Sequence, residues 1–174
     1  KRSARLSLPT LTDRRAAYCA VLFCLLMVAQ IAMMGGLTAQ TEIKMRRDTL
    51  TLQTASGAHR IDIEVAESDR EKAHGLMFRQ SLGDSEGMLF PYATAHEITM
   101  WMRNTFISLD MIFIRGDGIV HRIATDTEPH SENIVASQGN VTAVLEMKAG
   151  SARRLNIKPG DRVEHAHFKG AAKR

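Results

Sequence analysis

Cysteine is confined to the start of the chain: Cys19 and Cys24 are its only two. Residues 40–174 therefore hold no disulfide, no thiolate nucleophile and no Cys-based metal site. The chain also lacks a His-Glu-x-x-His pair, a phosphate-binding Gly-Lys-Ser/Thr loop and a dinucleotide glycine signature. Net charge is missing from most of the molecule as well. The overall +4 comes from Lys1, Arg2, Arg5, Arg14 and Arg15 set against Asp13, leaving 18 of the 23 Lys+Arg and 18 of the 19 Asp+Glu to cancel over residues 40–174. A neutral segment offers no electrostatic footprint for a phosphate backbone, so no nucleic-acid partner is expected. No internal repeat is present, and 174 residues suffice for one ordinary domain. A domain of about 130 residues can bury an adequate core without disulfides.

What is concentrated near the N-terminus is hydrophobicity. The basic residues through Arg15 precede an uncharged stretch, residues 16–41, whose densest apolar part is 21–29, with Gln30 interrupting before 31–34. The dense part fits a signal-peptide core, and the wider run 16–34 reaches the length of a transmembrane candidate. Arg14 and Arg15 would stay in the cytoplasm under the positive-inside rule. Cleavage after Ala39 and uncleaved anchoring both remain open, Leu37 being a poor residue two positions before that site. The chain opens on Lys1 rather than Met, and residues upstream of it are expected. The domain plan is a signal peptide or membrane anchor over 1–39, a linker over 40–48, a β domain over 49–168 and a tail over 169–174. The β domain is expected to be exported: periplasmic, or anchored to the inner membrane and facing away from the cytoplasm.

Strand-like stretches recur through this domain. Residues 50–54 lead to a turn at Ser56-Gly57, and 60–65 alternate Ile61, Ile63 and Val65 with Asp62 and Glu64, the period of a half-buried strand. Ser68 followed by Glu71 is a capping box, which opens a helix from Asp69 to about Arg79 with Ala73, Leu76 and Met77 on one face. Further strands are expected at 88–90, 98–102, 109–115, 119–124, 141–148 and 161–165. Gly116-Asp117-Gly118 signals a hairpin, 149–155 a turn or short helix, and Pro159-Gly160 another turn. Residues 125–139 form a long polar loop, either functional or mobile. Many strands, one or two short helices and no βαβ alternation point to a mainly β domain, an antiparallel sandwich or a barrel-like fold.

Several runs carry a family resemblance. They are Gly75-Leu76-Met77-Phe78-Arg79, Gly87-Met88-Leu89-Phe90, Met100-Trp101-Met102-Arg103-Asn104-Thr105, Leu109-Asp110-Met111-Ile112-Phe113, Val144 through Gly150, and Ile157-Lys158-Pro159-Gly160-Asp161. In order and spacing the chain resembles, over roughly 50–165, the bacterial and archaeal "domain of unknown function 192" family. Ser108 stands where that family usually has Pro, and Asn156 where Gly is usual; Asn tolerates the left-handed backbone that such a turn requires. The resemblance implies a mainly β fold, often behind a signal sequence, and no established activity.

Some constellations have a bland reading and a sharp one. Gly83-Asp84-Ser85-Glu86-Gly87 matches the letters of a hydrolase nucleophile elbow, but a strand follows it where the elbow needs a helix. His165 and His167 would share a strand face and could hold a metal; solvated tail histidines are the default. The seven methionines after residue 40 read as core filler before soft-metal ligands.

Polar residues embedded in apolar runs are more informative. Asp110 and Glu146 both sit where each strand face is apolar, so each needs a partner, and Arg79, Arg103, Asn104 and Thr105 are the candidates. With Trp101 as an apolar wall these residues form either a ligand cleft or a pair of buried salt bridges beside a turn held by Asn104; the second, structural reading is preferred. The functional expectation is a non-catalytic module binding a small ligand or an envelope protein, with no cofactor or metal, and with a membrane contact through the N-terminal segment if uncleaved. The alternatives are an enzyme, for instance a hydrolase, using Asp110 and Glu146 as acid and base, and a structural module docked on a membrane assembly. Fusing residues 1–45 to a reporter active only in the periplasm is expected to give activity; a purely cytoplasmic signal would sink the export reading.

Overall fold

The computed structural model describes residues 43–168, so the leader expected over 1–39 and the tail over 169–174 lie outside the described residues. Seven strands form one curled, mixed sheet, a half-barrel. In chain order they are β1 (Arg46–Thr54), β2 (Gly57–Val65), β3 (Glu86–Met100), β4 (Leu109–Ile114), β5 (Val120–Ala124), β6 (Val135–Lys148) and β7 (Arg162–Glu164). Helix α1 (Asp69–His74) separates β2 from β3, α2 (Ser151–Arg154) follows β6, and a 3-10 turn (Ala166–Phe168) ends the described chain. Among these residues no helix is long and apolar enough to cross a membrane.

The spatial order is β5-β4-β6-β3-β2-β1-β7. Neighbours are antiparallel except β2 and β3, whose parallel pairing requires the crossover that α1 supplies. The two ends of this order meet. Ile119 bridges to Arg162, Val120 donates its N–H to the Asp161 carbonyl at 2.8 Å, and Val163 donates to Gly118 at 2.7 Å. This local junction shields part of the two edges that could otherwise template aggregation. Val120 and Val163, from the two terminal strands, share one apolar cluster with Leu50, Ile63, Ile112 and Leu145, so this cluster fills the interior of the curl. The other sheet face carries a second cluster, including Met88, Phe90, Met111 and Val144, under α1 and the loop after β3.

Local signals account for much of this. Ser68 and Glu71 form the expected capping box, with Glu71 N–H donating to Ser68 Oγ and Ser68 N–H to the Glu71 carboxylate at 2.7 Å. The helix ends at His74 instead of Arg79, because Gly75 takes φ +48 and Phe78 φ +64. A Cβ on Gly75 would also lie 3.3 Å from the Phe90 ring, so the turn seats closely on β3. Asn156 adopts φ +53, the left-handed geometry expected of it.

Strand β1 begins within the expected linker, at Arg46, and Met45 is already buried. The stretches 88–90 and 98–102 prove to be largely one 15-residue strand, β3, and the last third of the expected loop 125–139 joins β6. The outer parts of β3 and β6 pair as a ribbon, and the irregular segment Ala93–Glu97 of β3 is exposed. Backbone bonds hold such a ribbon without an apolar face, so no period of two marks it. The C-terminal histidines are not a solvated tail. His165 is buried and lies 3.3 Å from Asp48, while the half-buried His167 reaches the Thr142 carbonyl at 3.0 Å.

Asp110 acts as a latch in this architecture. Its side chain, fully buried on the interior face, accepts the N–H of Asp126 at 3.0 Å and that of Ala152 at 2.8 Å. One carboxylate thus ties the loop after β5 and the first turn of α2 to the middle of the sheet. No arginine takes part, which corrects the expected buried salt bridge: two backbone amides supply the positive ends. Asn at this position would retain one acceptor and turn an N–H₂ toward a donor, so Asp110→Asn is expected to destabilise the domain by about 2–3 kcal/mol in urea denaturation. Asp62→Asn, which touches only an exposed pair with Arg60, is expected to change stability by less than about 0.5 kcal/mol.

Candidate functional site

On the second face of the sheet, α1, β3, β6 and the loop after β3 enclose a cleft of about 240 Å³. Glu146 projects from β6 at its floor. It pairs across the sheet with Met88 on one side and Met111 on the other, both fully buried. This apolar collar leaves Glu146 only 4 % exposed as a residue, and no donor of the described residues lies within hydrogen-bond distance of its carboxyl. Burial alone pushes it up from its ordinary 4.5 to about 8. At neutral pH the group therefore keeps its proton and presents an O–H donor to the cleft.

Phe90 and Tyr92 line one wall from β3. Tyr92 opens an irregular excursion: Pro91 pairs with Ala143 and His96 with Val141, so four residues of β3 stand opposite one of β6. Burial raises the Tyr92 phenol above its ordinary value, helped by the charges of Glu146 and Asp69. From α1, Lys72 places its ammonium 4.7 Å from the centre of the Tyr92 ring. Trp101, nearly half exposed, forms the opposite lip, and the Arg103 guanidinium stacks 4.7 Å from its ring centre.

The loop carrying Trp101 is tied down on two sides. Met102 N–H donates to Ser131 at 2.9 Å, His130 N–H to Thr105 at 3.1 Å, and Phe78 N–H to Asn104 at 2.9 Å. Phe78, Asn104 and His130 all hold positive φ, an unfavourable state for non-glycine residues that concentrates at functional loops. Ser108, in place of the usual proline, donates its hydroxyl to the Thr127 carbonyl at 2.7 Å and so fastens the end of the same loop.

Two larger depressions, of about 410 and 560 Å³, lie elsewhere on the surface. Their principal charges are already matched within the protein: Arg79 with Glu64, Asp48 with Arg46 and His165, and Asp117 with Arg115. Only the smaller cleft holds a buried ionisable group without a partner. No cluster of three or more metal-ligating carboxylates and histidines occurs among the described residues.

The model of the DUF192 family, described as "Uncharacterized ACR", matches residues 51–165. The chain belongs to this family. Two solved relatives agree in fold. A candidate transcription regulator from Sinorhizobium meliloti is 39 % identical over 72 % of this chain and 98 % of its own, with a TM-score of 0.70. A protein of unknown function from Novosphingobium aromaticivorans is 42 % identical over 72 % of this chain and 90 % of its own, at 0.69. No protein of curated function matches the chain.

Of the residues that sequence singled out in this DUF192 domain, the cleft gathers Trp101, Arg103, Thr105 and Glu146. Asn104 serves the turn through its carbonyl, Arg79 is engaged with Glu64, and Asp110 lies on the other face of the sheet. Neither carboxyl has the arginine partner expected of it. Ser85 belongs to a turn running straight into β3, so the hydrolase-like glycine pattern builds no elbow. Phe90 and Met100, from two of the family runs, also line the cleft, together with Lys72 and Tyr92, which no motif singled out. Tyr92 follows Met88 and Phe90 onto this face by strand alternation, just before β3 breaks register.

The raised Glu146 value has a consequence for stability. Below about pH 4.5 the carboxyl is protonated in folded and unfolded chains alike. Above it the unfolded chain loses the proton while the folded domain keeps it to about pH 8, so stability falls across that interval as pH rises. The loss attributable to Glu146 is roughly 3 kcal/mol at pH 7. Glu146→Gln carries no titrating proton, so its stability relative to wild type is expected to increase steadily from pH 5 to pH 8. A pH-independent difference in urea midpoints would rule out a buried, proton-retaining Glu146.

Proposed function

We propose that this DUF192 domain is a small-ligand binding module, carried outside the cytoplasm behind the basic, apolar N-terminal segment. The observation that carries the ligand reading is Glu146, a buried carboxyl with no partner among the described residues, at the floor of a cleft with aromatic walls. An unpaired buried polar group is destabilising, and a bound molecule would supply what the fold withholds. The cleft is smaller than the roughly 300–1,000 Å³ that accommodates drug-sized molecules, which favours a compact ligand.

The hydrolytic alternative, with Asp110 and Glu146 as acid and base, loses its support. Asp110 shares a face with Ile112 and Ile114 in the interior, whereas Glu146 shares the other face with Met111 and Val144. A continuous sheet separates the two carboxyls. The transcription-regulator description of one relative is not carried over, since 18 basic and 18 acidic side chains cancel over residues 40–174.

The test is a thermal-shift screen of small polar and amphipathic molecules against the purified chain. A true ligand at a hundredfold excess over its Kd stabilises the folded state by about 2.7 kcal/mol. Trp101→Ala and Glu146→Leu are each expected to reduce that shift. A ligand whose shift is untouched by both substitutions would place binding elsewhere and overturn the reading.

A further inference from the structure

Charge in the cleft is one-sided. Its single carboxyl is Glu146 at the floor, and the formal cations, Lys72 and Arg103, stand at the mouth. Each cation rests against an aromatic ring, and neither has an acidic side chain within 4 Å among the described residues. Lys72 belongs to a capped helix, and Arg103 to a loop tied on both sides by backbone bonds, so both are held near the opening. The aromatic faces that would cage a ligand's ammonium group are already engaged by the protein's own cations. Apolar surface from Phe90, Leu76 and Met100 lies between mouth and floor.

We propose that the cleft takes a small organic anion: its carboxylate is held at the mouth by Lys72 and Arg103, its apolar body lies between Phe90 and Trp101, and a carbonyl oxygen accepts a hydrogen bond from the Glu146 hydroxyl. This rests on the cleft being a ligand site and goes further by fixing the sign of the ligand's charge and the direction of its inner hydrogen bond. Arg and Lys are the donors suited to a carboxylate, Arg as a planar fork and Lys as a compact charge. The other titratable side chains around the cleft, Tyr92 on β3 and His74 on α1, are not carboxylates and do not oppose an anion. Asp69 acts on Tyr92 from α1 without lining the cavity. Binding of such an anion weakens where Glu146 gives up its proton, since the floor then presents an acceptor to an acceptor and a like charge to the ligand.

Trp101 is the only tryptophan in the chain, so its emission reports on this cleft directly. The probes are 5-oxohexanoate, hexanoate and hexylammonium, titrated into the full-length chain by calorimetry with Trp101 emission followed in parallel. The expected order is 5-oxohexanoate above hexanoate, with hexylammonium negligible. Lys72→Gln and Arg103→Gln are each expected to weaken 5-oxohexanoate about tenfold. Glu146→Gln, whose amide still donates, is expected to bind at pH 7 and to lose the decline that the wild type shows above pH 8. Preference for hexylammonium, or affinities unchanged in the Lys72 and Arg103 variants, would overturn the anion assignment while leaving the ligand-binding reading intact. Silence toward all three probes also overturns it, and silence in the broader thermal-shift screen as well would remove the ligand-binding reading too.

Discussion

Strand β6 has a neighbour on each side, β4 and β3, and the register of those two ladders decides which face of the sheet every side chain enters. The consequences reach the whole domain. Met147 pairs with Asp110 and points to the interior, so the carboxylate of Asp110 finds the amides of Asp126 and Ala152 there. One residue earlier, Glu146 pairs with Met111 and must point the other way. A slip of one position would exchange the faces, leaving Asp110 without its amides and Glu146 in the closed interior. The close approach of Gly87 to β6, where a Cβ would lie 2.8 Å from the Glu146 carbonyl, helps to hold this register.

The two carboxyls show how one sheet can treat the same chemistry in opposite ways. Asp110 is buried with two backbone donors and stitches distant segments together; its polar demand is satisfied by the fold. Glu146 is buried between two methionines with no donor among the described residues; keeping a proton spares it a buried charge but leaves its polar atoms unmatched. A penalty of a few kcal/mol is large beside the 5–15 kcal/mol that separates folded from unfolded domains. Natural proteins retain such penalties where a site requires them, which is the sense in which the unmatched group points to binding. The strained backbone at Phe78, Asn104 and His130, all beside the same loop, belongs to the same pattern.

The arrangement also explains why the cleft is small and shaped on all sides. Helix α1 stops early, so the turn at Gly75 can press against Phe90 while Lys72 reaches over Tyr92. The loop after β3 is pinned by Ser131, Thr105 and Phe78 contacts, which hold Trp101 and Arg103 opposite that wall. Walls fixed in this way limit the entropy lost when a ligand binds.

The sequence by itself determined the mainly β class, the capping box at Ser68 and Glu71, the hairpin at Gly116-Asp117-Gly118, the left-handed turn at Asn156 and the family. Each depends on neighbours within a few residues, or on a pattern of two, and is therefore written locally. It also marked Asp110 and Glu146 as buried polar groups, because both interrupt strands that are apolar on each face. Only the tertiary structure decided their partners and their separation. Their arginine partners failed to appear because Arg79 is drawn to Glu64 and Arg103 to the Trp101 ring, choices made by segments far apart in the chain. The length of β3 and the ribbon it forms with β6 were likewise tertiary decisions. Backbone hydrogen bonds pair strands regardless of side chain, so an exposed ribbon and a register break leave no mark on hydrophobic periodicity.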